Sequence, residues 1–394
     1  MGGSGPSLET DNQNRKGKPK MIYKKAALKP DEKVCLELRG LYEQFGYKKY
    51  KMSKFEEYSL YVENKDFLGT DKVITFTDLD GRLLALKPDV TLSIIKNTNA
   101  TPQENEKLYY QENVYRENRE SHTFTEINQM GLEYLGNVDN YAITEVITLA
   151  AESLKTISDN YILELAHMGF VVELLDSLQV SRNTQIEFLK QIRMKSADGI
   201  RLVAQKADLS TLQVESLCKL PNLYGDVMST IEEAKKICMN GAMERALGEI
   251  AEIYQALEAM GYADRIQLDL SIVNDIDYYN GIIFKGYVEE LGKAILAGGQ
   301  YDQAMEYLGK KANAIGFAVY LNEINRIMAS RKEYDVDAVV IYGSETVADI
   351  AAAVKSLQEQ GLTVRAEKQK PAGLRYRELY RLENGQLRKE GESC

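Results

Sequence analysis

Apolar positions follow two different periods along this chain, and the switches between them mark out its parts. From Lys107 to Gly136 the sequence KLYYQENVYRENRESHTFTEINQMGLEYLG alternates apolar with polar. That predicts two strands joined by a polar connection from Glu117 to Thr123. Gln129, Gly131 and Glu133 then share one face, while Met130, Leu132 and Tyr134 share the other. The first face is a polar floor with Arg116 at its edge; the second belongs to a core. Upstream, Pro30 and Asp31 start a helix with Val34, Leu38, Leu41 and Phe45 at helical spacing and Gly46 as its stop. Residues 73–97 read as a strand, an Asp-Gly turn, a second strand and a helix begun after Pro88. Asp89 and Thr91 fall in that helix's first turn, where a carboxylate and a hydroxyl cap its free amides.

Downstream of the hairpin, residues 140–157 form a helix, and from about 165 to 255 the pattern is almost wholly helical, with polar breaks such as SADG and NGAM. Strands return at 266–288, where Asn280-Gly281 is either a tight turn or the middle of one continuous strand. Ala297 to Asp302, AGGQYD, is either a plain turn or a place where glycines let a ligand approach the backbone. Ile315 to Met328 reads as a strand entering a helix. Residues 334–369 read as strand, helix and strand, followed by a more basic tail with Arg375, Arg377, Arg381 and Arg388. The fold class is α+β: an antiparallel sheet flanked by helices, a helical insertion at about 165–255, and a small C-terminal α/β unit. Residues 1–20 have almost nothing to bury and are expected to be a disordered tail.

Composition narrows the function classes. A net charge of −10 argues against a general nucleic-acid binder, which needs basic surface to displace counterions. Cys35, Cys218, Cys238 and Cys394 are scattered and only His122 and His167 are present, so neither a metal site nor a disulfide framework is expected, and no cofactor is. No apolar run reaches the roughly 18 residues of a membrane span, which makes the cytoplasm the expected compartment.

The hairpin's Tyr-Arg-x-Glu, short loop and Asn-Gln-Met-Gly-Leu-Glu resemble motif 2 of class II aminoacyl-tRNA synthetases in the histidyl form. LKPDVT resembles that family's Leu-Arg-Pro-Glu-Gly-Thr, DIDYYNG its Leu-Asp-Tyr-Tyr segment, AGGQYD its Ala-Gly-Gly-Arg-Tyr-Asp, and IGFAVYLNEINRIM its motif 3. The resemblance covers most of residues 21–330 and implies a class II core there, with residues 331–394 similar to a reduced anticodon-binding domain. It also implies a motif 1 dimer, although Ser53 stands where the family carries a proline. By the same resemblance a histidine pocket falls on Asp89, Thr91, Gln129, Glu133, Tyr278, Tyr279 and Tyr301: acceptors for an ammonium or imidazole N–H, and aromatic walls with hydroxyl handles.

Adenylate formation needs cations placed against the phosphates. Arg116 keeps the motif 2 arginine and is a candidate anion contact. The second family arginine falls on Asn274, beside Asp275, and the third on Glu323, beside Asn322. A carboxylate in place of a cation repels polyphosphate, so adenylation is expected to be lost while the amino-acid pocket is kept. That combination is similar to the synthetase-like regulatory subunits of ATP phosphoribosyltransferase. What this resemblance implies is a subunit with no catalytic site of its own, partnered with the short-form catalytic subunit in the first step of histidine biosynthesis and carrying feedback inhibition by histidine. tRNA is not an expected partner. Two other readings stay open: an active histidyl-tRNA synthetase with displaced arginines, and an amino-acid-binding module serving another enzyme.

Overall fold

A computed structural model of the chain describes residues 28–64, 72–118, 121–273, 278–331 and 334–390. The expected tail at residues 1–20 lies outside them. The organising element is the hairpin Glu106–Asn118 and Thr123–Gly136, paired without interruption from Glu106 opposite Leu135 to Asn118 opposite Thr123. It sits inside a nine-stranded sheet in the order Lys48–Lys49, Glu106–Asn118, Thr123–Gly136, Asn313–Tyr320, Leu296–Gln300, Ile282–Val288, Tyr161–His167, Ile266–Asp269, Tyr224–Gly225. Neighbours are antiparallel except at Lys48–Lys49 and at the contact of Tyr161–His167 with Ile266–Asp269, which are parallel.

The alternation along the hairpin sorts its residues as expected. Met130, Leu132 and Tyr134 join the main core, which the helices Pro30–Gln44, Asn140–Ile157 and Gly241–Ala259 complete with Leu38, Val146 and Ile250. Pro30 opens the first helix, with Glu32 accepting from the Lys29 amide at 2.7 Å, and Gly46 at φ +83° releases the chain after it. One ion pair ties this layer to the hairpin: the Lys107 ammonium lies 2.7 Å from Glu145 of Asn140–Ile157 and over the rings of Tyr47 and Tyr134.

The helical insertion is interrupted by capped breaks and by the short strand Tyr224–Gly225, which pairs with Ile266–Asp269. Ser196 of SADG accepts from the Gly199 amide and Asn240 of NGAM from Ala242 and Met243, so each break restarts a helix. Its start differs from expectation. Residues 161–167 form a strand and the helices begin at Met168, because YILELAH is held between two other strands of the sheet. The same placement decides Asn280-Gly281. Strands Ile266–Asp269 and Ile282–Val288 flank Tyr161–His167 on opposite sides, so Asn280-Gly281 is neither a hairpin turn nor strand interior. It lies just before Ile282, held by Asn280 donating to Asp302 at 3.0 Å and accepting from the Asp302 amide at 3.1 Å. AGGQYD is not a turn either: Leu296–Gln300 is a strand in the middle of the sheet.

A three-stranded sheet, Phe55–Glu57, Leu83–Leu86, Thr75–Thr77 in spatial order, carries the LKPDVT segment to the hairpin. Lys87, only 1% exposed, docks it. Its carbonyl accepts from the Tyr115 amide and its ammonium reaches Glu112 at 2.5 Å. Residues 336–390 form a separate four-stranded sheet, Val364–Glu367, Val336–Ile341, Tyr376–Glu383, Gln386–Glu390, with helix Val347–Glu359 packed on it and its own small core around Val340 and Leu357. The basic tail is therefore two strands, its arginines facing acids: Arg375 with Asp335, Arg381 with Glu390. Among the described residues no helix is long and apolar enough to cross a membrane.

Candidate functional site

The polar floor is not wet. Gln129 and Glu133 are 3% and 2% exposed, roofed by tyrosines from two other segments. Glu133 is the centre. One of its oxygens accepts from the Thr91 hydroxyl at 2.9 Å, and the other from the Tyr301 hydroxyl in a short hydrogen bond. Tyr278 hydrogen-bonds Thr91 and its ring sits 5.9 Å from that of Tyr301 and 4.5 Å from that of Tyr279. Asp89 accepts from the Leu92 amide at 2.9 Å, capping the short helix Thr91–Asn97. Gln129, two positions along the strand from Gly131, donates to the Tyr110 hydroxyl at 3.4 Å. Asp89, Thr91, Tyr278, Tyr279 and Tyr301 are thus gathered around the Glu133 carboxyl and Gln129 is joined to the group through Tyr110, although the seven come from four separated stretches of chain.

Glycines make the room. A Cβ on Gly316 would lie 1.8 Å from a Glu133 oxygen, one on Gly131 would lie 2.1 Å from the Tyr110 ring, and one on Gly299 would lie 2.8 Å from the Tyr279 ring. The AGG pair therefore admits the neighbouring strand and a tyrosine ring. Tyr110 was not among the expected site residues. The signal for it was present: hairpin register places Tyr110 opposite Gly131, and a large ring across from a glycine covers the gap.

Electrostatics follow from burial. Loss of water pushes the Glu133 carboxyl up to about 8, against the pull of its two hydrogen bonds, and nearby Asp89 adds to the rise. Burial likewise pushes the phenols of Tyr278, Tyr279 and Tyr301 upward, so they stay protonated donors. An acid whose folded pKa exceeds its unfolded one holds its proton more tightly when folded. Glu133 accordingly carries no penalty below about pH 4.5 and destabilises the fold increasingly as pH rises toward about 8. Replacing it with glutamine is expected to remove that slope: melting temperatures of wild type and Glu133→Gln should diverge in favour of the variant between pH 5 and 9, and parallel curves would refute the buried acid.

Arg116 is not free to receive an anion in this arrangement. Its Nε donates to the Pro88 carbonyl at 2.7 Å and its Nη2 pairs with Asp89 at 3.1 Å, so it holds the LKPDVT segment in place. Glu323 pairs with Lys293 at 2.8 Å, and Asn322 accepts from the Asn128 amide at 2.6 Å, locking the start of helix Leu321–Arg331 to the hairpin. Asn274 and Asp275 lie outside the described residues. No group of three His, Cys, Asp or Glu able to hold a metal occurs among the described residues.

The sequence model of histidyl-tRNA synthetase matches residues 24–324. The chain belongs to that family. A curated relative from Bacillus thuringiensis (strain Al Hakam), an ATP phosphoribosyltransferase regulatory subunit, is 29% identical over 346 residues, covering 84% of this chain and 81% of that protein. Among solved structures, an ATP phosphoribosyltransferase regulatory subunit/histidyl-tRNA synthetase from Bacillus halodurans C superposes with a TM-score of 0.69 at 24% identity, covering 89% of this chain and 93% of the other. The ATP phosphoribosyl transferase (HisG:HisZ) complex from Thermotoga maritima contributes a further neighbour at TM-score 0.58 and 17% identity, over 73% of this chain and 96% of that one. These two likenesses establish the class II synthetase-like α+β fold.

Proposed function

We infer that the chain is a regulatory subunit of ATP phosphoribosyltransferase, without a catalytic site of its own, acting in histidine biosynthesis with a short-form catalytic subunit. The relative in Bacillus thuringiensis supports the assignment. The observation in this chain that carries it is the pairing of an intact acceptor pocket with an anion where a catalytic cation is needed. Glu323, held by Lys293, presents negative charge where adenylation requires positive charge.

The pocket's ligand, on this reading, is histidine. Its imidazole meets Glu133 and the tyrosine walls, its ammonium meets Asp89, Thr91 and Gln129, and opening the Arg116–Asp89 pair offers a guanidinium to its carboxylate. Feedback inhibition then requires that histidine bind one conformation of the complex better than another. The subunit self-associates as a class II-like dimer, works in the cytoplasm, and does not take tRNA as a partner.

Histidine-dependent exchange of labelled pyrophosphate into ATP separates this reading from an active synthetase. The expected result is no exchange above background together with a histidine-dependent rise in melting temperature in the same preparation. Robust exchange would give the chain to the synthetases.

A further inference from the structure

The three-stranded sheet that carries LKPDVT has a groove on the side away from its core. Helix Tyr58–Glu63 packs Leu60 and Tyr61 with Ala85 and Leu92, and its other face, together with the start of strand Leu83–Leu86, bounds a groove of about 460 Å³. Val62 and Leu83, 46% and 47% exposed, give the groove an apolar wall. Its rim is acidic. Arg82 is the one cation that lines it among the described residues, and that guanidinium is already shared between Asp80 at 2.6 Å, Asp78 at 3.6 Å and Glu57 at 3.7 Å. Glu63, on the same rim, has no cation partner among the described residues. A concave apolar surface edged by surplus carboxylates repels nucleic acid and anionic lipid and suits a short apolar segment flanked by cations.

This chain contains such a segment, and it joins the described residues near the groove. From Arg15 to Lys25 the sequence RKGKPKMIYKK places six cations in eleven residues around Met21, Ile22 and Tyr23, with no acid between Asn12 and Leu28, in a chain of net charge −10. The described residues begin at Leu28, just before helix Pro30–Gln44. The far end of that helix is pinned to the hairpin: the Tyr109 hydroxyl donates to Glu43 at 2.7 Å, and the Tyr42 and Tyr109 rings lie 6.1 Å apart. After Gly46 the chain reverses and Lys48–Lys49 runs parallel to Glu106–Asn118, so the helix lies against that strand in the opposite direction. From Tyr42 back to Pro30 is about 18 Å of helix, and from Tyr109 on to Tyr115 is about 20 Å of strand, which sets Pro30 level with Tyr115. The Tyr115 amide donates to the Lys87 carbonyl and the Lys87 amide to that of Lys54, so the small sheet is attached at the same level. Extended chain from Leu28 back to Met21 reaches roughly 24 Å farther.

We propose that residues 15–25 of this chain dock in the groove of the small sheet, with Met21, Ile22 and Tyr23 against Val62 and Leu83 and the flanking lysines against Glu57 and Glu63. Burial of the apolar side chains supplies the attraction, and the carboxylates that Arg82 alone cannot neutralise select a cationic occupant. The contact does not depend on what the amino-acid pocket binds.

Carbodiimide coupling of lysines to carboxylates, in an equal mixture of unlabelled and heavy-nitrogen-labelled full chain, tests the contact. The expected products join Lys18, Lys20, Lys24 or Lys25 to Glu57 or Glu63 and are isotopically pure, both peptides coming from one molecule. Their yield should fall about threefold or more in Leu83→Ser and in Val62→Ser, and also in molar salt, where exposed charges are screened. Both substituted side chains are exposed, and the coupling in wild type is informative without either variant. Products of mixed isotope would give the groove to the segment of a second copy and overturn the proposal. Lysines of 15–25 coupled only to other carboxylates, no coupling of them at all, or yields indifferent to both serine variants would overturn it as well.

Discussion

Glu133→Ala is expected to weaken histidine binding by about ten- to a hundredfold while leaving the subunit folded and assembled. Glu133 is the one buried carboxyl in the pocket, and each oxygen already has a hydroxyl donor, Thr91 or Tyr301. A ligand imidazole therefore finds an acceptor that is held in place and shielded from water, where a hydrogen bond to a potentially charged group contributes about 1.5–3 kcal/mol. Truncation removes that acceptor and also leaves the Thr91 and Tyr301 hydroxyls without their partner. The cost to the fold is partly offset because a desolvated acid disappears with it. Calorimetric titration with histidine, alongside sedimentation of the wild type and the variant, separates the two effects. Unchanged affinity would sink the assignment of Glu133, and loss of assembly would show that the residue is structural.

Gly316→Ala should have the larger effect on stability. Its Cβ would sit 1.8 Å from a Glu133 oxygen and 2.4 Å from the Leu132 carbonyl. The carboxylate could swing away only by giving up the Tyr301 bond, and the carbonyl belongs to the central strand Thr123–Gly136, which is paired on both sides. Neither neighbour can yield cheaply, so a loss of about 3 kcal/mol is expected, at the upper end of ordinary overpacking. Denaturant unfolding monitored by circular dichroism would measure it. The thermal response to histidine should fall with it, since the same methyl group displaces Glu133. Gly248, on the helix Gly241–Ala259 with open space around its Cβ position, is the control: alanine there should be neutral or mildly stabilising. Equal tolerance at both positions would contradict the packing described for Glu133.

Local chemistry made much of this legible in the sequence. The alternation in 107–136 fixed which residues face the pocket, because a strand's period leaves no choice once one face is apolar. Pro30, Gly46 and Pro88 marked helix starts and stops through backbone geometry alone. What local patterns did not carry was strand order. Nothing in YILELAH says that it lies between residues 266–269 and 282–288, so the helical stretch looked slightly too long and Asn280-Gly281 read as either a turn or strand interior. Lys87 is another instance. A lysine next to a proline reads as surface, and only Glu112, brought over by the long hairpin, makes its burial tolerable. Arg116 kept its place in the motif, but its pairing with Asp89 depends on how the LKPDVT segment docks, which the motif does not state.

Reconstitution with a short-form ATP phosphoribosyltransferase catalytic subunit tests the central claim most directly. The rate of phosphoribosyl-ATP formation would be measured with the catalytic subunit alone, with this chain added, and with histidine present, using wild type and Glu133→Ala. The account predicts that the chain raises the rate, that histidine then lowers it, and that Glu133→Ala keeps the activation while losing the inhibition. A chain that leaves the rate unchanged, or a Glu133→Ala variant that histidine inhibits as strongly as the wild type, would contradict it.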